Sequence, residues 1–207
     1  TPALVGLCEV ENDSVLVRLL RQTPLRQQHY RYCMTHGEDT RGINVALLYQ
    51  RDKFRYLGHA EQPVRFTRKQ HKHTRNILHV WGEVLTGDRL DVFVCHFPSR
   101  YRGEKESEPD RFDAAHTLRS LCDSVYALHP TPHILIMGDF NDTPDDISIR
   151  QILDAHPFPI RWASVPDSMR IESQTDRHPF LRLCNLFAER KTHPSGSHKY
   201  QGEWSQL

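Results

Sequence analysis

The stretch Met137-Gly138-Asp139-Phe140-Asn141-Asp142-Thr143-Pro144 closes a short, continuously apolar run from His133 to Met137, and its reading decides the fold. A run of that kind is a strand buried on both faces, as in sheets covered by helices. Gly138 leaves room at the strand end for a close-lying group. Pro144 prevents the extended ladder from continuing. Asp139 and Asn141 stand two apart, so period-2 geometry sends both side chains to one side of an extended chain. A carboxylate beside an amide suits phosphate hydrolysis: the carboxylate orients and deprotonates water, and the amide donates to a phosphate oxygen. A polar turn with Asx capping accounts for the same residues without chemistry.

Two other apolar runs end in the same manner. Leu7-Cys8-Glu9-Val10-Glu11-Asn12 delivers a carboxylate at the end of a buried strand, just before a helix. Carboxylate oxygens are preferred ligands of Mg²⁺, although Glu11 could serve only the first helical turn. Val94-Cys95-His96-Phe97-Pro98-Ser99-Arg100 ends in a His able to hydrogen-bond a phosphate oxygen or protonate a leaving group, with Arg100 placed to add positive charge. A strand-end Glu or His taken singly is as well explained by structure. Three buried strands that each deliver a phosphate-handling side chain at the carboxyl end form a stronger pattern, because active sites gather on such edges.

The rest of the chain alternates strands with helices. Ala3 to Cys8 reads as the first strand, and Asn12 or Asp13 caps a helix through about Arg21. Tyr30 to Met34 and Ile43 to Tyr49 read as neighbouring strands, joined by HGEDTRG, and Phe54 to Phe66 as an edge strand. Ile77 to Leu85 and Leu90 to Phe97 form a hairpin around Thr86-Gly87-Asp88-Arg89. A charged loop, Ser99 to Asp110, precedes a helix from about Arg111 to Leu128, and Asp146 caps a further helix to Leu153. His156 to Arg182, with four prolines, reads as a long irregular loop. Leu181 to Phe187 and His198 to Gln201 are the last ordered segments expected. Interleaved helices with hairpins imply an α/β fold with mixed sheets.

Composition sets outer limits. The 207 residues suit one domain, and 27 basic against 26 acidic residues give a net charge of +1, without the basic excess of a strong nucleic-acid binder. A local basic run, Arg65, Arg68, Lys69, His71, Lys72, His73 and Arg75, reads as a solvated loop or as a rim that contacts phosphates. No apolar run approaches the ~20 residues of a membrane span. Five cysteines without CxxC spacing read as buried free thiols. No signal peptide and no protein partner is evident, and the compartment stays open.

GLCEVEN, HFPSR and GDFND together resemble the motif set of the endonuclease/exonuclease/phosphatase superfamily. The segment Arg41-Gly42-Ile43-Asn44-Val45-Ala46-Leu47-Leu48-Tyr49 is also similar to bacterial members. The resemblance spans roughly residues 3 to 206. It implies a four-layer α/β/β/α sandwich of two mixed sheets packed face to face with helices outside. It also implies a Mg²⁺-dependent phosphoesterase, with Mn²⁺ as an alternative cation. Glu9 matches the family's metal ligand, and His96, Asp139 and Asn141 match its catalytic residues. Arg41 joins Arg100 in approaching the phosphate. The substrate is a phosphate ester: nuclease, lipid phosphodiesterase and small phosphoester hydrolase all stay open, as does a non-catalytic binding domain on the same fold. Family members usually begin with a strand carrying a metal-binding Asn and end with a strand-end Asp-His pair. Only Thr1-Pro2 precedes Ala3 here, and the chain stops at Trp204-Ser205-Gln206-Leu207. The resemblance therefore leads us to expect one domain incomplete at both termini, inactive by itself.

Overall fold

The computed structural model describes residues 1–68, 73–129, 131–157, 181–186, 198–200 and 203–205. It divides into two compact units, Thr1–Asn141 and Asp142–Leu207.

The first unit holds two sheets. Strands β1 (Leu4–Val10), β2 (Tyr30–Met34) and β3 (Asn44–Gln50) form an antiparallel sheet in the order β1-β3-β2. Strands β4 (Phe54–Gln62), β5 (Ile77–Val84), β6 (Arg89–His96) and β7 (His133–Asp139) form a mixed sheet in that order, antiparallel up to β6 and parallel between β6 and β7. Their inner faces share one core: Cys33, Val45 and Leu47 from the first sheet pack with Phe54, Leu78, Val80, Val92 and Val94 from the second. Alternation along β6 explains the assignment. Val92 and Val94 point into this core, whereas Asp91, Phe93 and Cys95 point to the opposite face.

Helices cover the outer faces. Helix α1 (Asp13–Gln22) starts at Asn12, whose side chain accepts from Val15 N. Its Leu16, Leu19 and Leu20 pack with Val10, Tyr30, Ala46 and Leu48 of the first sheet. Helix α2 (Glu104–Leu128) buries Ala114, Ala115, Leu118, Cys122 and Val125 and brings Cys122 near Cys95 on the outer face of β6. The two stacked sheets with a helix outside each give the α/β sandwich expected.

Several boundaries differ from the sequence reading. Most of the supposed charged loop from Ser99 to Asp110 is helix. Gly103, at φ 104, turns the chain, Glu104 and Glu106 sit favourably in the first turn, and Ser107 Oγ bonds back to Gly103 O at 2.6 Å. Buried Arg111 donates to Ser107 Oγ and Glu104 O, so these polar residues serve the helix rather than solvent. Pro109 lies inside the helix. Strand β4 stops at Gln62 rather than Phe66, because Pro63 cannot donate to the ladder. It is an edge strand, as expected. Of the five thiols, Cys33, Cys95 and Cys122 are buried, Cys8 is half-buried, and Cys184 is exposed.

In the second unit the helix expected after Asp146 is a π-helical turn at Ser148–Ile152, closed by Leu153 N donating to Ser148 O at 3.0 Å. Its N-cap is Ile147, without a side-chain cap hydrogen bond, rather than the Asp146 expected; the Asp146 carboxylate accepts from Thr143 N and Oγ1 instead. Strands β8 (Ala155–Pro157) and β9 (Leu183–Asn185) pair in parallel, and β10 (His198–Tyr200) and β11 (Glu203–Ser205) pair antiparallel. The irregular segment expected between His156 and Arg182 lies, from 158 to 180, outside the described residues, as do Lys69, His71 and Lys72 of the basic run. No helix among the described residues is long and apolar enough to cross a membrane.

Candidate active site

The carboxyl ends of β1, β6 and β7 meet at one edge of the two-sheet unit. Parallel pairing puts His96 directly opposite Asp139, and Phe97 N extends the ladder by donating to Asp139 O at 2.8 Å. One position earlier, Gly138 is opposite Cys95 at φ 140, and a Cβ there would lie 1.9 Å from Cys95 O. Only glycine permits that approach. Strand β1 reaches the same edge from the other sheet, where Cys8 Sγ lies 3.4 Å from Cys95 O.

Glu9 and Asn141 are aimed by backbone turns rather than by strand alternation. The β1–β3 register shifts between Leu7 and Val10, a bulge that leaves Glu9 at φ 59 with its side chain exposed. Asn141, at φ 51, follows the end of β7, and its N–H returns to Asp139 Oδ1 at 2.8 Å. The left-handed region is uncommon for residues with a Cβ and is enriched at functional sites. The extended Asp-Phe-Asn geometry expected from sequence is thus replaced by a turn that folds Asn141 onto Asp139. Asn141 Nδ2 also donates to Phe97 O at 3.0 Å, and Arg100 Nε donates to Asn141 O at 2.6 Å. Arg100 is tied as well to Glu104 at 2.8 Å.

Beneath these residues lies a charged pair missed by the sequence reading. Arg75 is 4% exposed; its Nη2 donates to Phe97 O at 2.5 Å, and its Nη1 lies 3.4 Å from Asp39 Oδ2. The Asp39 side chain is 5% exposed, and its Oδ1 accepts from Arg41 N at 2.9 Å. Arg41 is itself exposed, with Nε 3.6 Å from Asp39 Oδ1. The basic run that includes Arg75 reads in sequence as a solvated loop or as a phosphate-contacting rim, and neither reading buries this residue. The only clue in sequence is its place two residues before the apolar strand β5. Asp39 had a weaker one, its position two residues before Arg41 in a polar turn.

The electrostatics follow from this burial. His96 Nε2 stands 3.8 Å from Asp139 Oδ2. Burial, reinforced by the positive charges of Arg75 and Arg41 and opposed by Asp39, pushes the His96 imidazole down to about 3, so the ring is neutral near pH 7. Burial raises Asp139 above the usual carboxylate range, and the charge of Glu9 adds to this. The Asn141 N–H and Arg75 pull it back. The structure thus brings Glu9, His96, Asp139 and Asn141 to the same edge, with the Glu9 charge acting on Asp139. Arg41 and Arg100 stand at its margin. Among the described residues no three His, Cys, Asp or Glu side chains cluster tightly enough to hold a metal by themselves. Clefts of about 310 and 260 Å³ lie elsewhere, beside α1 and at the Arg51–Gly87 end, and contain none of these residues.

No curated protein matches the chain in sequence. Solved structures do match in fold. The catalytic domain of human Nocturnin with bound sulfate is 18% identical, with a TM-score of 0.59 over 72% of this chain and 55% of that one. D. rerio TDP2 complexed with a single-strand DNA product is 18% identical, with a TM-score of 0.53 over 73% and 52%. ANGEL2, a 2′,3′-cyclic phosphatase in complex with adenosine-2′,3′-vanadate, is 15% identical, with a TM-score of 0.61 over 74% and 44%. The chain spans about half the length of these structures. A family model matches residues 1–207 throughout, and the chain belongs to the Endonuclease/Exonuclease/phosphatase family.

Proposed function

We propose that the protein, in its intact form, is a Mg²⁺-dependent hydrolase of phosphodiester or phosphomonoester bonds, nuclease-like in its substrate. The observation that carries this reading is the Asp139 carboxylate, held beside a neutral His96 with Asn141 folded onto it, in a chain of this family. The match across residues 1–207 supports treating the chain as one domain.

In this reading Asp139 orients the attacking water and takes its proton as the new P–O bond forms. Arg75 and the Asn141 N–H favour the ionised carboxylate that this role needs. Asn141 has two amide hydrogens, of which Phe97 O engages one, and the other donates to a phosphate oxygen. Neutral His96 donates a ring N–H to the phosphate or to the departing oxygen. Arg41 and Arg100 bring positive charge to the phosphate, and Arg100 also fixes the Asn141 backbone.

Glu9 would hold the cation. Its exposed carboxylate, close enough to Asp139 to raise it, fits an ion that uses one or two carboxylates and retains several waters. Mn²⁺ accepts the same oxygen donors. When bound, the ion supplies positive charge to the phosphate oxygens.

A nucleic-acid substrate is favoured over lipid or inositol phosphates by the ligands of the similar structures, a DNA product on TDP2 and an adenosine vanadate on ANGEL2. The deciding experiment assays the intact protein against DNA, sphingomyelin and inositol phosphates, with and without Mg²⁺. Mg²⁺-dependent cleavage of DNA is expected. Turnover of only a lipid or inositol substrate reassigns the substrate, and binding without turnover of any of them identifies a non-catalytic domain.

A further inference from the structure

Three buried side-chain atoms lack a hydrogen-bond partner among the described residues: Gln50 Oε1, Arg75 Nε and His96 Nδ1. The last two fall in one cluster, since the Arg75 guanidinium donates to the carbonyl of Phe97, the residue directly after His96. They are also complementary. An arginine Nε always carries a hydrogen and only donates, whereas one nitrogen of a neutral imidazole is an acceptor. Buried polar groups are overwhelmingly paired, so two orphans of opposite kind in one place call for a common account.

We infer that Arg75 is a positioning residue of the site: anchored by Asp39, its guanidinium holds the Phe97 carbonyl that steers Asn141 and offers a donor to His96 Nδ1. The His96 proton is thereby placed on Nε2, the atom facing Asp139.

The geometry bears on each part. The Phe97 carbonyl accepts from both Arg75 Nη2, at 2.5 Å, and Asn141 Nδ2, at 3.0 Å, so the guanidinium and the amide share one anchor. Asp39 Oδ2, 3.4 Å from Nη1, balances the buried charge and orients the fork. With two nitrogens so engaged, Nε–H is the donor left to serve the imidazole, directly or through one buried water. The opposite tautomer, with hydrogen on Nδ1, would leave two buried N–H groups, on Nδ1 and on Arg75 Nε, each without an acceptor. With hydrogen on Nε2, the ring faces Asp139 Oδ2 at 3.8 Å, too far for a direct hydrogen bond, and its N–H is available to a third group between them. The imidazole partner that fixes a tautomer is in this way supplied by a residue that need not touch substrate.

The inference deepens the phosphoesterase reading, but only its kinetic arm rests on that reading. The test uses ¹⁵N NMR of the His96 ring and the Asn141 side-chain amide in the wild type, Arg75→Met and Arg75→Lys. It is run alongside hydrolysis of bis(p-nitrophenyl) phosphate with Mg²⁺ by the intact protein. The wild type is expected to show a single Nε2–H tautomer. In folded Arg75→Met the tautomers should mix and the Asn141 amide resonance should move. Its kcat should fall on the order of 10- to 100-fold, as for other supporting residues, with little change in KM. If the methionine variant does not fold, lysine decides. It keeps the charge, but as a compact ammonium it cannot serve Asp39, the Phe97 carbonyl and the imidazole together. Either the His96 tautomer or the Asn141 amide must then change. An unchanged tautomer and an unmoved amide in a folded variant, or an Nδ1–H tautomer in the wild type, overturns the inference. A wild type that never hydrolyses the ester while the spectra behave as expected overturns the phosphoesterase reading instead.

Discussion

His96 and Asp139 occupy directly opposed positions at the ends of two parallel strands, with Nε2 and Oδ2 3.8 Å apart. Because the pairing is set by the full β6–β7 ladder, a slip of one residue would turn one of the two side chains to the other face. The distance is therefore a property of the whole sheet. If Asp139 is the base, Asp139→Asn should retain the fold and lose ~10²–10⁴-fold in kcat, the usual share of general-base catalysis. Near-normal turnover would show the role to be misassigned. Glu9→Gln should act differently, raising the Mg²⁺ concentration needed for half-maximal rate.

The neutral His96 has a consequence for stability. Its folded value is pushed down to about 3, against about 6.5 for the free side chain. Between these values the unfolded chain binds a proton that the folded chain does not, so stability falls as pH drops from about 6.5 toward 3. His96→Asn should flatten that part of a denaturation-against-pH curve by a few kcal/mol. An unchanged slope would mean that His96 is not held neutral.

Asp91 acts in a lower window with the same sign, stability again falling as pH drops. Burial alone would raise its carboxyl, but hydrogen bonds from His79, at 2.8 Å, and Arg89, at 2.8 and 2.9 Å, prevail and bring it to about 2. A carboxylate depressed on folding adds stability above its unfolded value near 4, lost as pH falls from there through about 2. The contribution is on the order of 2 kcal/mol. Asp91→Asn should remove it at neutral pH and abolish the corresponding acid-induced loss, measured by urea unfolding between pH 2 and pH 5.

Two glycines separate backbone strain from steric exclusion. Gly138→Ala meets a backbone oxygen at 1.9 Å and a φ of 140, so a loss above ~3 kcal/mol or failure to fold is expected. Gly42→Ala meets nothing within 4 Å and only a φ of 64, and should cost about 1 kcal/mol. Chemical denaturation of both variants tests the contrast; equal losses would place the Gly138 requirement in conformation rather than contact.

Local pattern carried much of this protein. Apolar runs, the Asn12 cap and the Thr86–Arg89 turn located β1, α1, β5, β6 and β7 to within a few residues, because hydrophobic periodicity and capping are short-range physics. The same physics put Glu9, His96 and Asp139 at strand ends. It failed where polar residues serve the interior: Ser107 and Asp110 are buried in a helix, although their segment reads as a charged loop.

What the sequence by itself determined was the set of strands and the residue types at their carboxyl ends. Only the tertiary structure decided how those residues face one another. The Glu9 bulge, the left-handed turn at Asn141 and the β6–β7 register each depend on a partner far along the chain, and none leaves a periodic signal. Arg75 is the clearest case. Its charge reads as surface in any local window, yet it is buried because Asp39 and the Phe97 carbonyl, 36 and 22 residues away, together replace the water it gives up.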